Sequence, residues 1–158
     1  MAKVSTKATA PTHRILVIAN ETVEGHVLHD TVLARAGEGR PAEVFVICPA
    51  LNSRLRHWIS DTDGARQAAR MRLQTCLERL AGKGVEVEGY VGDSDPLQAI
   101  EDGLHVFEAD EIVIATHPRG RSNWLERNLI EKARERFSVP IVHVVVESVP
   151  SPKAVAAA

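Results

Sequence analysis

Disulfide frameworks and zinc sites need clustered thiols, and this sequence has only two cysteines: Cys48, which closes an apolar run, and Cys76, inside a helical pattern. Neither stands in a paired metal or redox spacing, so both read as buried thiols that pack like small hydrophobes. An excess of one charge is also lacking. With 19 Lys and Arg against 21 Asp and Glu the formal charge is -2, so nothing draws the whole chain to nucleic acid or anionic lipid. No segment reaches the ~18 uninterrupted apolar residues of a membrane helix, and Met1 to Pro11 has no apolar core of a secretion signal. The expectation is a cytoplasmic protein with no nucleic-acid and no membrane partner. Internal repeats and long linkers are absent as well.

What is present is the material of one ordinary globular domain. The 158 residues are 44% hydrophobic and 25% charged, and a chain of this length buries about two-thirds of its unfolded surface. Residues 1–12 and 148–158 are small, polar or proline-containing and read as flexible tails around a domain at 13–147. Within the domain, five strand-like runs alternate with four helix-like segments, the pattern of a parallel sheet covered on both faces.

The run from His13 to Asn20 is apolar throughout its centre, ILVIA, as a central strand buried on both faces should be. A helix from His26 to Ala36 carries Leu28, Val32 and Ala36 at helical spacing, and Gly37 and Gly39 end it. Strand two is Ala42 to Cys48, and Asp61-Thr62-Asp63 caps a long helix to Leu80 whose stripe includes Ala65, Ala69, Leu73, Cys76 and Leu77. Val85 to Val91 alternates apolar and polar residues, which suits a strand near the sheet edge. Asp95-Pro96-x-Gln98 predicts a capped helix start with Gln98 reaching back to the cap, followed by Leu97, Ile100, Leu104 and Phe107 on one face. Strand four is Glu111 to Thr116. A second capping-box-like start, Asn123-x-x-Glu126, opens a last helix with Leu125, Leu129, Ala133 and Phe137, and strand five runs from Val139 to Val146.

Ligands of open parallel sheets sit beyond the carboxyl ends of the strands, where chain order reverses. With strand one central, the loops after strands one and four flank that point, so Asn20, Glu21 and Thr22 should face Thr116 to Asn123 across a crevice. The second loop, T-H-P-R-G-R-S-N, brings Arg119, Arg121, Ser122 and free backbone N–H groups to a helix start, where partial positive charge favours a phosphate. The competing reading is that Ser122 and Asn123 only cap the helix while the arginines lie in solvent.

The run Y-V-G-D-S-D-P-L-Q-A-I from Tyr90 to Ile100, followed by A-D-E-I-V-I-A-T from Ala109 to Thr116, resembles the third strand, third helix and fourth strand of universal stress proteins. With the ILVIAN opening and the V-P-I-V-H-V-V-V ending, the resemblance spans about His13 to Glu147. It implies an open, doubly wound, five-stranded parallel sheet of order 3-2-1-4-5, of the adenine nucleotide alpha-hydrolase-like type, with helices on both faces. It also implies a stress-linked regulatory role and a homodimer through the last strand at Val139, Ile141, His143 and Val145; with no catalytic motif in the sequence, the expectation is a binding protein and not an enzyme. The crevice would hold ATP or another adenine nucleotide, with Val91, Gly92, Thr116, His117, Gly120 and Asn123 joining the loop residues named above, and with no metal beyond the magnesium of the nucleotide. The ATP-binding branch is similar to a pattern G-x2-G-x9-G-[ST] after strand four, and this sequence departs from it. Gly120 is the only glycine in the loop, His117 and Pro118 stand in the expected glycine-rich turn, and Ile130 and Glu131, or Arg127 and Asn128 in the other alignment, replace the final pair. Asn20 stands where the family commonly has an aspartate. Weak ATP binding is the expectation, and the alternative is a dimer that docks a regulatory protein partner without any nucleotide.

Three smaller constellations carry weaker signals. His26, His29 and Asp30 share the start of a helix but lack a third ligand of suitable spacing for a metal. Ser122, His117 and Glu126 lack the G-x-S-x-G elbow of a nucleophilic serine. Arg54, Arg56, His57 and Trp58 could close over the crevice or dock a partner, or form a solvated loop with Trp58 tucked against the domain.

Overall fold

The computed structural model of the chain describes residues 12–19, 26–37, 41–50, 62–83, 85–118 and 128–146. Strands β1 (His13–Ile18), β2 (Ala42–Pro49), β3 (Glu86–Gly92), β4 (Glu111–Thr116) and β5 (Ile141–Val145) alternate with helices α1 (His26–Ala36), α2 (Thr62–Ala81), α3 (Pro96–Val106) and α4 (Leu129–Arg136). All strands run parallel in the order β3-β2-β1-β4-β5. This is the doubly wound order that the resemblance implies.

The apolar centre of β1 explains its place. Ile15, Leu16, Val17 and Ile18 are all buried, and alternate residues enter opposite cores. Ile15 and Val17 pack with Val46, Cys48, Val113 and Val144 beneath α1 and α2. Leu16 and Ile18 pack with Ile47, Ile112 and Ile114 beneath α3 and α4. Burial of each such side chain contributes about 1.5–3 kcal/mol. Both cysteines are buried, as expected.

Local signals set the helix ends. Gly37, at φ 81, terminates α1 with its N–H on Leu33 O at 3.2 Å, a left-handed conformation that glycine adopts without cost. Asp95 holds extended dihedrals (φ -85, ψ 115) and its side chain accepts from Leu97 N at 3.1 Å, with Pro96 opening α3. Gln98 does not reach back to the cap; its Nε2 donates to Asp102 Oδ1 at 2.9 Å, one turn along the helix. Gly103 lets α3 lie close to the sheet, because a Cβ there would stand 2.5 Å from Ile47 Cδ1 and 3.3 Å from Leu16 Cδ1.

Several expected boundaries shift. The described part of the last helix begins at Leu129 behind Asn128, which is left-handed at φ 58, while the Asn123-x-x-Glu126 start lies outside the described residues. Phe137 follows α4 as its C-cap, with its N–H on Ala133 O. β5 is shorter than Val139 to Val146, so Val139 precedes the strand, although Pro140 O and Val146 N still bond to β4. His29 is buried at 8% exposure, whereas a histidine early in a helix was expected at a cap or in solvent.

The N-terminal end of the sheet carries an ionic cluster. Glu111, 4% exposed, receives His13 Nε2 at 2.5 Å, Arg35 Nε at 2.8 Å and Arg35 Nη2 at 2.7 Å. Arg14 pairs with Glu43, donates from Nε to Glu108 O at 2.7 Å, and lies 4.3 Å over the Phe107 ring. These contacts tie α1, β1, β2 and β4 together at the base of the sheet. Among the described residues, no helix is long and apolar enough to cross a membrane.

Candidate functional site

The reversal of chain order falls between β1 and β4, whose carboxyl ends stand side by side at the opposite end of the sheet from the ionic cluster. Backbone bonds carry the ladder to this rim: Ala19 N to Ile47 O at 3.2 Å, Ala50 N to Gly92 O at 3.2 Å, and Val146 N to Thr116 O at 2.7 Å. Of the sequence-predicted site residues, Val91, Gly92, Thr116 and His117 are described: Val91 and Gly92 end β3, Thr116 ends β4 and His117 follows it at this rim. Asn20, Glu21, Thr22, Arg119, Gly120, Arg121, Ser122 and Asn123 lie outside the described residues, as do Arg54, Arg56, His57 and Trp58.

Those four residues are largely engaged within the protein. Thr116 is 2% exposed, and its Oγ1 lies 2.8 Å from His143 Nε2 on the neighbouring strand. Burial, reinforced by the Arg134 guanidinium and opposed by Glu131, holds the His143 imidazole below its ordinary pKa, so the ring favours its neutral form. A neutral Nε2 can accept the Thr116 hydroxyl proton. His117 Nδ1 lies 3.3 Å from Val146 O, which ties the start of the loop after β4 to the end of β5. Val91 packs against the core beneath α1 and α2. Gly92 is glycine for packing: a Cβ there would meet Ile47 Cγ2 at 2.6 Å and Ala99 Cβ at 3.4 Å.

The rim is electrostatically uneven. On its β3 side, Asp93 Oδ1 accepts from Asp95 N at 2.8 Å and Asp95 caps α3, so two carboxylates stand at that helix start. On its β4 side come His117 and then, in the sequence, Arg119 and Arg121. The two carboxylates disfavour an anionic group on the β3 side. Sequence reasoning named His143 only for the last-strand dimer and not for its bond to Thr116, although a lone polar residue in an apolar strand is the signal that marks it.

The remaining groups offer little covalent chemistry. Cys48 sits at the end of β2, where burial pushes its thiol up to about 11 against a smaller opposing pull from Arg72, so it stays protonated near neutral pH. His26 is exposed while His29 is buried, so the two do not present a matched pair of ligands. Among the described residues, no group of three or more His, Cys, Asp or Glu is placed to hold a metal.

No protein-family model matches the chain, and no curated protein matches it by sequence. Solved structures do match. The hypothetical protein MJ0577 is 14% identical at a TM-score of 0.62, covering 88% of this chain and 99% of its own. A universal stress protein from Archaeoglobus fulgidus is 17% identical at 0.56, covering 84% and 98%. A universal stress protein family protein from Arabidopsis thaliana, solved with AMP bound, is 12% identical at 0.54, covering 90% and 98%. The alignments take in 98 to 99% of these structures, and the chain has the fold of the universal stress proteins.

Proposed function

We propose that the chain is a cytoplasmic, homodimeric stress-response or regulatory protein that binds an adenine nucleotide or a related phosphate ligand and does not catalyse a reaction. The observation that carries this reading is the rim at the β1–β4 reversal, acidic on the β3 side and followed by basic sequence on the β4 side. The ligand's phosphate then lies on the β4 side, toward Arg119 and Arg121. AMP in the structurally similar Arabidopsis protein supports an adenine nucleotide as the ligand class. ATP binds weakly, because Pro118 has no N–H and Gly120 is the loop's only glycine, so few backbone donors reach a triphosphate. Its magnesium would be the only metal.

Calorimetric titration with AMP and with ATP tests the reading, together with mass spectrometry of small molecules released from the purified protein. Replacing Arg119 or Arg121 by Ala should weaken AMP binding about ten- to a hundredfold, the worth of one charge-assisted hydrogen bond. Replacing Arg136, which is engaged with Glu101 at the far end of α4, should change nothing. A submicromolar ATP constant would overturn the loop argument, and equal affinities across the arginine variants would overturn the phosphate site. A second reading, a nucleotide-free dimer that docks a regulatory protein, is favoured by the engagement of Thr116 and Gly92 within the protein. It predicts a ligand-free protein that retains a cellular partner.

A further inference from the structure

β5 is the outermost strand beside β4, and its outer edge can be read residue by residue. Ile112 N bonds to Pro140 O and Val146 N to Thr116 O, so the even-numbered residues of β5 turn their backbone groups inward. The N–H and C=O groups of Ile141, His143 and Val145 therefore face away from the sheet. One of them is already taken: Arg134 Nη2 donates to Ile141 O at 3.3 Å. Further along the edge Val145 is 44% exposed.

Such a row is complementary to itself when two copies run antiparallel about a two-fold axis. Outward residues meet in five registers, centred on each residue from Ile141 to Val145; those centred on Ile141 and Val142 place the Arg134-bound Ile141 carbonyl in the pairing, which leaves three to compare, centred on His143, Val144 or Val145. The first sets Val145 against Ile141 of the partner subunit and makes the Ile141 carbonyl accept a partner amide beside the Arg134 guanidinium that it already holds. The third leaves only the Val145 pair within the strand. The second pairs His143 with Val145 of the partner subunit on both sides of the axis, and it satisfies the amides and carbonyls of both residues without using Ile141 O between them. We propose that Arg134 sets the register of the homodimer by capping Ile141 O, so that two copies pair antiparallel about Val144. This rests on the β5 dimer put forward above.

Residues facing each other at the centre of that register form a pair without mutual hydrogen bonds, whose side chains approach closely enough for a disulfide. Val144→Cys, His143→Cys and Val145→Cys would each be oxidised gently and the cross-linked peptides identified by mass. Val144→Cys should form severalfold more covalent dimer than the other two, and adding Arg134→Ala should let His143→Cys rise to match it. Preferential linkage through His143→Cys or Val145→Cys would overturn the register, and a pattern unchanged by Arg134→Ala would overturn the role of the cap. Unmodified protein gives a separate reading: amide exchange at His143 and Val145 should slow as concentration rises through the dimer range. A monomer by ultracentrifugation at all concentrations sinks the dimer itself, whereas a dimer without that slowing places the contact elsewhere; either outcome overturns the proposal.

Discussion

Glu111 and Thr116 begin and end the same strand, and both are buried polar residues, at 4% and 2% exposure. Glu111 meets a histidine and two nitrogens of an arginine, from elements far apart in sequence. Thr116 makes its side-chain hydrogen bond to one imidazole held neutral. Full charge is thus used at the base, where it locks α1 and β1 to β4. The rim holds weaker, neutral side-chain bonding beside the place where the loops depart. A buried charge is costly unless partnered, and a partnered one is rigid. The comparison teaches that the base is fixed by partnered charge, while the rim, where a ligand is proposed to bind, is held by a single neutral side-chain bond at Thr116.

The largest effect should come from breaking the base. Arg35→Ala leaves the Glu111 carboxylate with His13, and loss of one partner of a buried pair costs about 3 kcal/mol at the low end, which applies here because Arg35 is itself half-exposed. Urea denaturation should show that loss, Glu111→Gln in the same chain should recover part of it, and AMP affinity should stay unchanged. Next is Gly92→Ala at the rim, which should cost about 2 kcal/mol through overpacking against Ile47 while the folded protein binds AMP as before. Lost affinity there would mean that the glycine serves the ligand and that rim and base differ in another way. Asp95→Ala should cost about 1 kcal/mol, the worth of one helix cap. It should also slightly strengthen binding of an anion by removing a carboxylate from the rim.

The smallest expected effect is a pH dependence confined to the rim. The folded-state pKa of His143 lies below its ordinary value of 6.5, so at acid pH the unfolded chain binds more protons there than the folded one. Its contribution is therefore intact above pH 6.5 and is lost progressively as the pH falls through that value toward the folded one. Denaturation at pH 7.5 and pH 5.5 should show a smaller acid loss in His143→Asn than in the parent. An equal loss would mean that His143 is as well solvated as a surface histidine.

The fold was legible because its signals are local. The ILVIA run required a strand covered on both sides, and Asp95-Pro96 required a helix start whatever lay around it. The base was illegible for the opposite reason: His13 and Glu111 are 98 residues apart, Arg35 and Glu111 76, and only the β1–β4 register brings them together. Gln98 was misjudged because Asp102, one turn on, competes for the same amide and neighbours it on the helix surface. At the rim, the strand pattern located the ends of β3 and β4 to within a residue, at Gly92 and Thr116. What their side chains do was not legible, since Ile47 and His143, which occupy Gly92 and Thr116, belong to strands distant in sequence.

The two outer strands of the sheet differ as well. β3 carries Glu86 and Glu88, both exposed, whereas β5 presents Ile141, His143 and Val145. Two copies of β3 brought edge to edge would set carboxylates close together, and like charges across a strand pair repel. On the proposed β5 pairing, strand addition is favoured at one edge of the sheet and discouraged at the other. A body with one adhesive edge can close into a pair but cannot propagate, so joining two β5 edges would give a ten-stranded sheet ending in acid at both ends, with no template left for a fibre.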